Sequence, residues 1–460
     1  MKLLGILWNS IGEYVDEATD DIKKYCNVKY YDLDLGKDYK NFLLELYPFN
    51  ESEKWKAEFK VNGLVDKYKS NKIRILILDI PKDEKVYLKN KDKMMYKNVL
   101  ELKVFIRKKY EHLVTQNVLK DGKSYDNVFH MTDDEDEYID NLPIILKYLP
   151  KHLKTNEDLM SISDFVDPNL LQREIKGTRN KYWITPNLLF KENYVNTFEN
   201  YSEVFNMYFM RLFGLNNCAE YMAFSCFDKP GVLTKRITDK NEEIVFLDEI
   251  FNKINIFEKK DLILHNNLNE LPNILNNYCK QNNLTLDNDY YNQLRKIYLY
   301  DILTCQNDRN PTNMCLKYDD QTRIAKLYFF DNSNMLFFYQ ADLLKKYIDG
   351  HLDISSYLEN KTSTFLLNKA SDLEICFNNK IYHLKSFLEN QNNFELFNDF
   401  LNIFNPDNIN LTFNYIEQNE NIKLPYFFKK AILDYYQIFI CKLKEIQTEN
   451  AKILRLNNIK

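Results

Sequence analysis

The stretch most able to do chemistry in this 460-residue chain lies between Tyr300 and Leu336. Asp308 opens the run Asp308-Arg309-Asn310-Pro311-Thr312-Asn313, and an apolar segment, 324–330, then delivers Asp331-Asn332-Ser333. Phosphoryl transfer needs such groups. One carboxylate orients an acceptor hydroxyl and takes its proton, while an amide oxygen and a second carboxylate hold Mg²⁺ against the phosphates. Asp308 is the candidate base, and Asn313 and Asp331 are the candidate magnesium ligands. A turn rich in Asp, Asn and Pro can also do no more than end a helix. The spacing to Asn313, the strand after it and the second carboxylate together favour the chemical reading.

That chemistry requires a lysine for the α- and β-phosphates and an acid that holds it. Residues 182–191 (YWITPNLLFK) read as an apolar strand ending in Lys191. Residues 200–214 (NYSEVFNMYFMRLFG) read as an amphipathic helix stopped by Gly214, with Glu203 in its first turn. Lys191 and Glu203 are the expected pair. Glu199 and Glu192 are competing acids, and Lys235 is the substitute lysine if the strand lies elsewhere. Just upstream stands Lys176-Gly177-Thr178-Arg179-Asn180-Lys181. A glycine, a hydroxyl and flanking cations can cradle phosphate through backbone N–H groups, although an exposed turn reads equally well. Residues 220–227 and 231–237 read as a hairpin around 228–231, leading to a hinge over 238–246 expected to receive adenine.

In this order the motifs resemble the HipA-like serine/threonine kinases, over about residues 165–345. Asp308 and Asn313 have the protein-kinase D-x-x-x-x-N spacing, but Arg309 follows the Asp, and Asp331-Asn332-Ser333 replaces D-F-G. Both departures are similar to HipA-like and phosphatidylinositol kinases. The resemblance implies a bilobed protein-kinase-like fold with a mostly helical C-lobe. It also implies ATP and Mg²⁺ as cofactors, and transfer to a Ser or Thr hydroxyl of a protein. It makes 176–181 a glycine-poor phosphate loop, with Thr178, ahead of Ser163, as an autophosphorylation candidate. Transfer to a lipid head group or small molecule is one competing reading. A non-catalytic nucleotide-sensing module is another.

The elements before residue 150 alternate. Strands are expected at 2–8, 28–35, 73–80 and 126–131, with helices at 13–25, 38–69 and 98–110 and from the acidic run 133–137 onward. This is the order of a ferredoxin-like α/β sandwich, with a doubly wound parallel sheet as runner-up. The segment 127–136 (NVFHMTDDED) looks like the active-site strand of nucleoside diphosphate kinases. Asn127, His130, Thr132 and Asp133 correspond, and Met131 replaces a glycine. Segments 42–49 and 105–107 are similar to that family's first short helix and its nucleotide-side arginine. The resemblance makes His130 a candidate phosphate carrier or nucleotide contact. Trp8-Asn9-Ser10 stands where the family has a phosphate-binding lysine.

Composition bounds the rest. Lys and Arg number 62 against 67 Asp and Glu, for a net charge of −5, so a broad nucleic-acid-binding face is not expected. Eight cysteines form no C-x-x-C, and no window approaches the ~18 apolar residues of a membrane span. The start lacks a signal-like apolar stretch, so a reducing, cytoplasmic setting away from membranes is expected. Oligomeric state has no signature. The expected α+β organisation is a ferredoxin-like domain over 1–150, a kinase N-lobe over 151–247 and a helical C-lobe over 248–460.

Overall fold

The computed structural model describes residues 1–47, 54–88, 93–114, 127–153, 159–168, 171–174, 179–239, 241–253, 270–306, 309, 311–359, 384, 387–420 and 422–457. The chain opens with β1 (Lys2–Leu7), α1 (Val15–Lys23), β2 (Asn27–Asp34), α2 (Tyr39–Leu46), α3 (Lys54–Leu64) and β3 (Lys72–Asp79). A small ribbon, β4 (Lys85–Leu88) and β5 (Lys93–Tyr96), precedes α4 (Lys97–Tyr110), β6 (Phe129–Met131) and α5 (Glu135–His152). The sheet order is β2-β3-β1-β6, and every neighbouring pair is antiparallel. That is the interleaved order of a split β-α-β sheet, and it excludes the parallel runner-up. The near-continuous apolar runs of β1 and β3 occupy the two central places, where both faces are covered. The acidic run starts α5: Asp134 accepts the Glu137 N–H, and carboxylates fill the first turn.

A second sheet contains β7 (Gln172–Glu174), β8 (Lys181–Thr185), β9 (Leu188–Glu192), β10 (Tyr221–Cys226) and β11 (Lys229–Lys235), in the order β10-β11-β9-β8-β7. The expected single strand over 182–191 is a hairpin instead. Pro186 cannot continue a central strand, and Asn187 N–H turns back onto Thr185 Oγ1 at 3.2 Å. The β10–β11 turn rests on Phe227 and Asp228, both at positive φ, the handedness that two-residue hairpins need. Pro230 and Gly231, expected in that turn, lie inside β11. Alternate residues serve different cores. Leu188, Phe190, Phe224 and Leu233 pack with the N-terminal sheet, whereas Ala223 and Val232 pack with α6 (Glu199–Leu212).

The composition of 151–165 reads as a polar connection between domains, yet residues 160–166 are built into both neighbours. Ser225 ties this segment to β10: its carbonyl accepts the Ile162 N–H and its N–H donates to the Met160 carbonyl, each at 2.9 Å. Phe165 stacks on Tyr31 of β2 at 5.3 Å. Small polar residues alternate with buried Met160, Ile162 and Phe165, which hides this packing in composition.

The remaining chain forms β12 (Glu242–Phe246), α7 (Leu247–Lys253), α8 (Glu270–Gln281), β13 (Thr285–Leu286), α9 (Tyr290–Leu303), β14 (Met314–Asp319) and β15 (Ile324–Phe329). It ends in α10 (Ala341–Ile348), α11 (Ile354–Glu359), α12 (Gln391–Ile403), α13 (Pro406–Asn419) and α14 (Tyr426–Asn457). The sheet order here is β12-β14-β15-β13, so the stretch expected to be the hinge ends in a strand paired with β14. Helix α6 is embedded in this helical core: Phe205 lies 5.4 Å from Phe413 and 6.1 Å from Phe428, ring to ring. Among the described residues no helix is long and apolar enough to cross a membrane.

Gly231 is where the sheet tolerates no side chain. A Cβ there would lie 2.2 Å from the Lys191 carbonyl oxygen and 2.7 Å from Phe190. Gly231→Ala should therefore displace β9 at Lys191 and cost about 1–3 kcal/mol, read as a lower denaturation midpoint at unchanged m-value.

Candidate active site

Strand alternation sends Phe190 into the N-terminal core and so turns Lys191 toward α6. The Lys191 ammonium is buried. It lies 2.5 Å from Glu203 Oε1 on α6 and 2.6 Å from Asp331 Oδ1, just past β15. Asp331 adopts a left-handed backbone (φ 55°), uncommon outside glycine. It is held there from several sides. Its N–H donates to the Tyr221 hydroxyl at 2.8 Å, and the Ser333 hydroxyl donates to its Oδ1 at 3.0 Å. Asn206 of α6 donates to the Asn332 carbonyl at 2.8 Å and accepts from the Tyr300 hydroxyl at 2.6 Å.

One ammonium faces two carboxylates; Lys191 and Glu203 are buried and Asp331 is half-buried. Burial opposes ionisation of Asp331, but Lys191, Lys181 and the Ser333 hydroxyl outweigh it and hold the carboxyl well below its usual range. Burial would likewise depress Lys191; Asp331 and Glu203 instead raise it above an ordinary lysine. Glu203 has the weaker claim. Burial pushes its carboxyl up to about 7 against the pull of Lys191, and its Oε2 has no hydrogen-bond partner among the described residues.

Asp308 lies outside the described residues, as does Asn310. Arg309 between them is buried. Its Nε and Nη2 each donate to Asp301 of α9 at 3.0 Å, Nη2 also donates to Asn332 Oδ1 at 2.6 Å, and Nη1 donates to the Phe330 carbonyl at 3.3 Å. Asn313 is buried, and its carbonyl accepts the Phe330 N–H at 3.2 Å. Gln306 donates to the Asp331 carbonyl at 3.4 Å. The backbone on either side of Asp308 is thus tied to the segment that presents Asp331. The sequence marked Arg309 only as a motif letter. Asp301, eight residues before it on the preceding helix, was the signal for its structural role.

Lys176, Gly177 and Thr178 lie outside the described residues. Arg179, expected to face phosphate, is committed elsewhere. Its guanidinium pairs with Glu199 and sits 3.2 Å from the centre of the Tyr194 ring. Glu199 is therefore occupied, and Glu192 accepts from Asn180 at 2.9 Å, which leaves Glu203 to Lys191. Lys181 pairs in register with Lys191 across β8–β9. Lys235 is at the far end of β11, exposed, with its ammonium 3.7 Å from Glu220. Ser163 is in the 160–166 junction, its hydroxyl accepting the Phe227 N–H at 2.8 Å.

His130 belongs to the N-terminal sheet, and none of its contacts involves the Lys191 cluster. Its Nδ1 is 3.1 Å from the Tyr47 hydroxyl, and its Nε2 is 4.0 Å from Glu137, beyond hydrogen-bond reach. Burial first, then Lys103, Lys60 and Arg107, hold the imidazole well below its ordinary pKa, so it is neutral.

No protein-family model matches this sequence, and no curated protein matches it. Among solved structures the chain is similar to a Helicobacter pylori proinflammatory kinase, CtkA. The identity is 15% and the TM-score 0.43, over 62% of this chain and 95% of that one. The likeness is distant.

Removing Asp301 should strand the buried Arg309 charge. Asp301→Ala is expected to cost about 3–5 kcal/mol in chemical denaturation. Glu203 should show in the pH dependence. Its folded pKa, about 7, lies above that of an ordinary glutamate, so the folded state holds the proton across that window and loses stability as pH rises through it. Glu203→Gln should remove this slope, gaining on the parent in melting temperature between pH about 5 and about 8.

Proposed function

We propose that this chain is an ATP- and Mg²⁺-dependent phosphotransferase of the HipA-like kinase type, transferring the γ-phosphate to a Ser or Thr hydroxyl of a protein. The observation that carries this reading is the buried Lys191 ammonium, 2.5 Å from a helix glutamate and 2.6 Å from a carboxylate at the end of another strand. Kinases use that trio to seat a nucleoside triphosphate: the lysine meets the α- and β-phosphates, the glutamate holds the lysine, and the carboxylate faces the metal.

The donor set suits magnesium. Asp331 is kept ionised, and Asn313 offers an amide. Mg²⁺ ordinarily takes one or two protein carboxylates and completes its shell with phosphate oxygens and water. Among the described residues no group of three or more His, Cys, Asp or Glu forms a cage for another metal. Bound there, magnesium would neutralise charge on the phosphates. Lys191 would leave Asp331 for the phosphate chain, and Glu203 would keep its ammonium in place. Asp308, assigned by its spacing to Asn313, would orient the acceptor hydroxyl and take its proton. Arg309 would act only by positioning that segment.

The test is thermal shift with ATP and Mg²⁺, together with label transfer from γ-labelled ATP to a generic protein acceptor. Asp308→Asn should keep the shift and lose transfer by about a hundredfold or more, because the base acts on the acceptor. Asp331→Asn should lose both transfer and the magnesium-dependent part of the shift. Binding by the intact protein without any transfer would replace this reading with nucleotide sensing. Label in a lipid or small molecule would replace the acceptor alone.

A further inference from the structure

One face of the second sheet grips Asp331 at two points. The strand registers set Lys191 opposite Val232 and Val232 opposite Ala223, and Tyr221 stands two residues before Ala223 on β10. Alternation therefore sends Tyr221 to the same face of the sheet as Lys191. Lys191 takes the Asp331 carboxylate at 2.6 Å, and the Tyr221 hydroxyl accepts the Asp331 N–H at 2.8 Å. Tyr221 reaches that level because the chain before β10 runs parallel to the end of β15, with Cys218 beside Phe329. The Phe329 N–H donates to the Asn217 carbonyl at 2.9 Å, and the Ala219 N–H donates to the Phe329 carbonyl at 3.0 Å. The Tyr328 hydroxyl adds a bond to the Cys218 carbonyl at 2.9 Å.

The left-handed backbone of Asp331 (φ 55°) is a conformation that has to be held. Its N–H is turned into the protein, and an N–H that loses its acceptor there costs more than the bond contributed. Without the hydroxyl, other backbone angles at 331 become competitive, and a turn of the backbone carries the carboxylate with it. Magnesium demands near-ideal placement of its oxygen ligands, so a carboxylate free to swing holds it more weakly. Tyr221 is buried with the core around α6, but a phenyl ring would fill the same space, so packing does not account for the hydroxyl. We propose that Tyr221 is a positioning residue for the metal site, fixing the Asp331 backbone and thereby setting how much magnesium the protein needs. The identity of the cation rests on the phosphotransferase reading above; the hold on the backbone does not.

The test compares the full-length protein with Tyr221→Phe and with Tyr39→Phe. Tyr39 is a buried control in the N-terminal domain, its hydroxyl donating to Asn9 Oδ1 at 2.9 Å. The first readout uses no ligand. Amide hydrogen exchange over 330–333 should quicken about tenfold or more in Tyr221→Phe and stay parental in Tyr39→Phe. The second is a magnesium titration of the thermal shift given by ATP. Half-saturating magnesium should rise about tenfold or more in Tyr221→Phe and stay within about twofold in Tyr39→Phe. At saturating magnesium, the ATP affinity of Tyr221→Phe should lie within about threefold of the parent. The proposal is overturned if either readout stays parental in Tyr221→Phe, or if Tyr39→Phe moves both equally. It is overturned too if Tyr221→Phe fails to fold or binds no ATP at any magnesium concentration, since the hydroxyl would then be structural. A parent protein without a magnesium-dependent ATP shift overturns the phosphotransferase reading and this proposal with it. Faster exchange in Tyr221→Phe would distinguish that failure from a failure of the backbone hold.

Discussion

A single ammonium between two carboxylates, one buried and one half-buried, is the constraint around which the centre of the molecule is arranged. In a low-dielectric site one positive charge fully compensates only one negative charge. Asp331 wins because other donors reinforce it: Lys181 at longer range and the Ser333 hydroxyl directly. Glu203 is left partly protonated. Only one ammonium touches both acids, which is why the two ionise unequally.

The three groups come from a strand, a helix and a post-strand turn, so their meeting depends on how those elements are held. The strand is held by its other face, where Phe190 and Leu188 sit in the N-terminal core. The helix is held from the opposite side, where Phe205 packs on Phe413 and Phe428, and Tyr208 donates to the half-buried Glu420. Close packing on both sides leaves α6 little room for the swing by which a glutamate could leave its lysine. The turn is held by Arg309, which spends its fork on Asp301, Asn332 and the Phe330 carbonyl together. Lysine at 309 could not reproduce that bidentate geometry.

The N-terminal sheet has its own polar focus at His130, and its character differs. Lys103 and Arg107 come from α4 and Lys60 from α3, all around an imidazole kept neutral by burial and by those cations. Tyr47 and Trp8 line the ring. The sheet also reaches the neighbouring one through Asp164, which Lys29 and Tyr31 of β2 both contact.

Much of this was legible in the chain itself. Residue type and short spacing pointed to Lys191 and Asp331, near strand ends, and narrowed the partner of Lys191 to Glu203, Glu199 or Glu192; Glu203, expected in the first turn of its helix, lies one turn further in because α6 starts at Glu199. The ferredoxin-like reading of the N-terminal sheet came from alternating strand and helix patterns, which left a parallel sheet open; the antiparallel order β2-β3-β1-β6 decided between them. Three things were decided only by tertiary structure. Pro186 split an apparent strand into a hairpin, and that choice set Lys181 opposite Lys191. Glu199 and Glu203 lie on the same helix face one turn apart, so sequence could not say which of them met Lys191; the path of β8 settled it by bringing Arg179 to Glu199. The partners of Arg309 come from residues 301, 330 and 332, and only the folded chain brings them to one guanidinium. Periodicity reports which face a side chain occupies, whereas the identity of its partner depends on long-range packing that no local window contains.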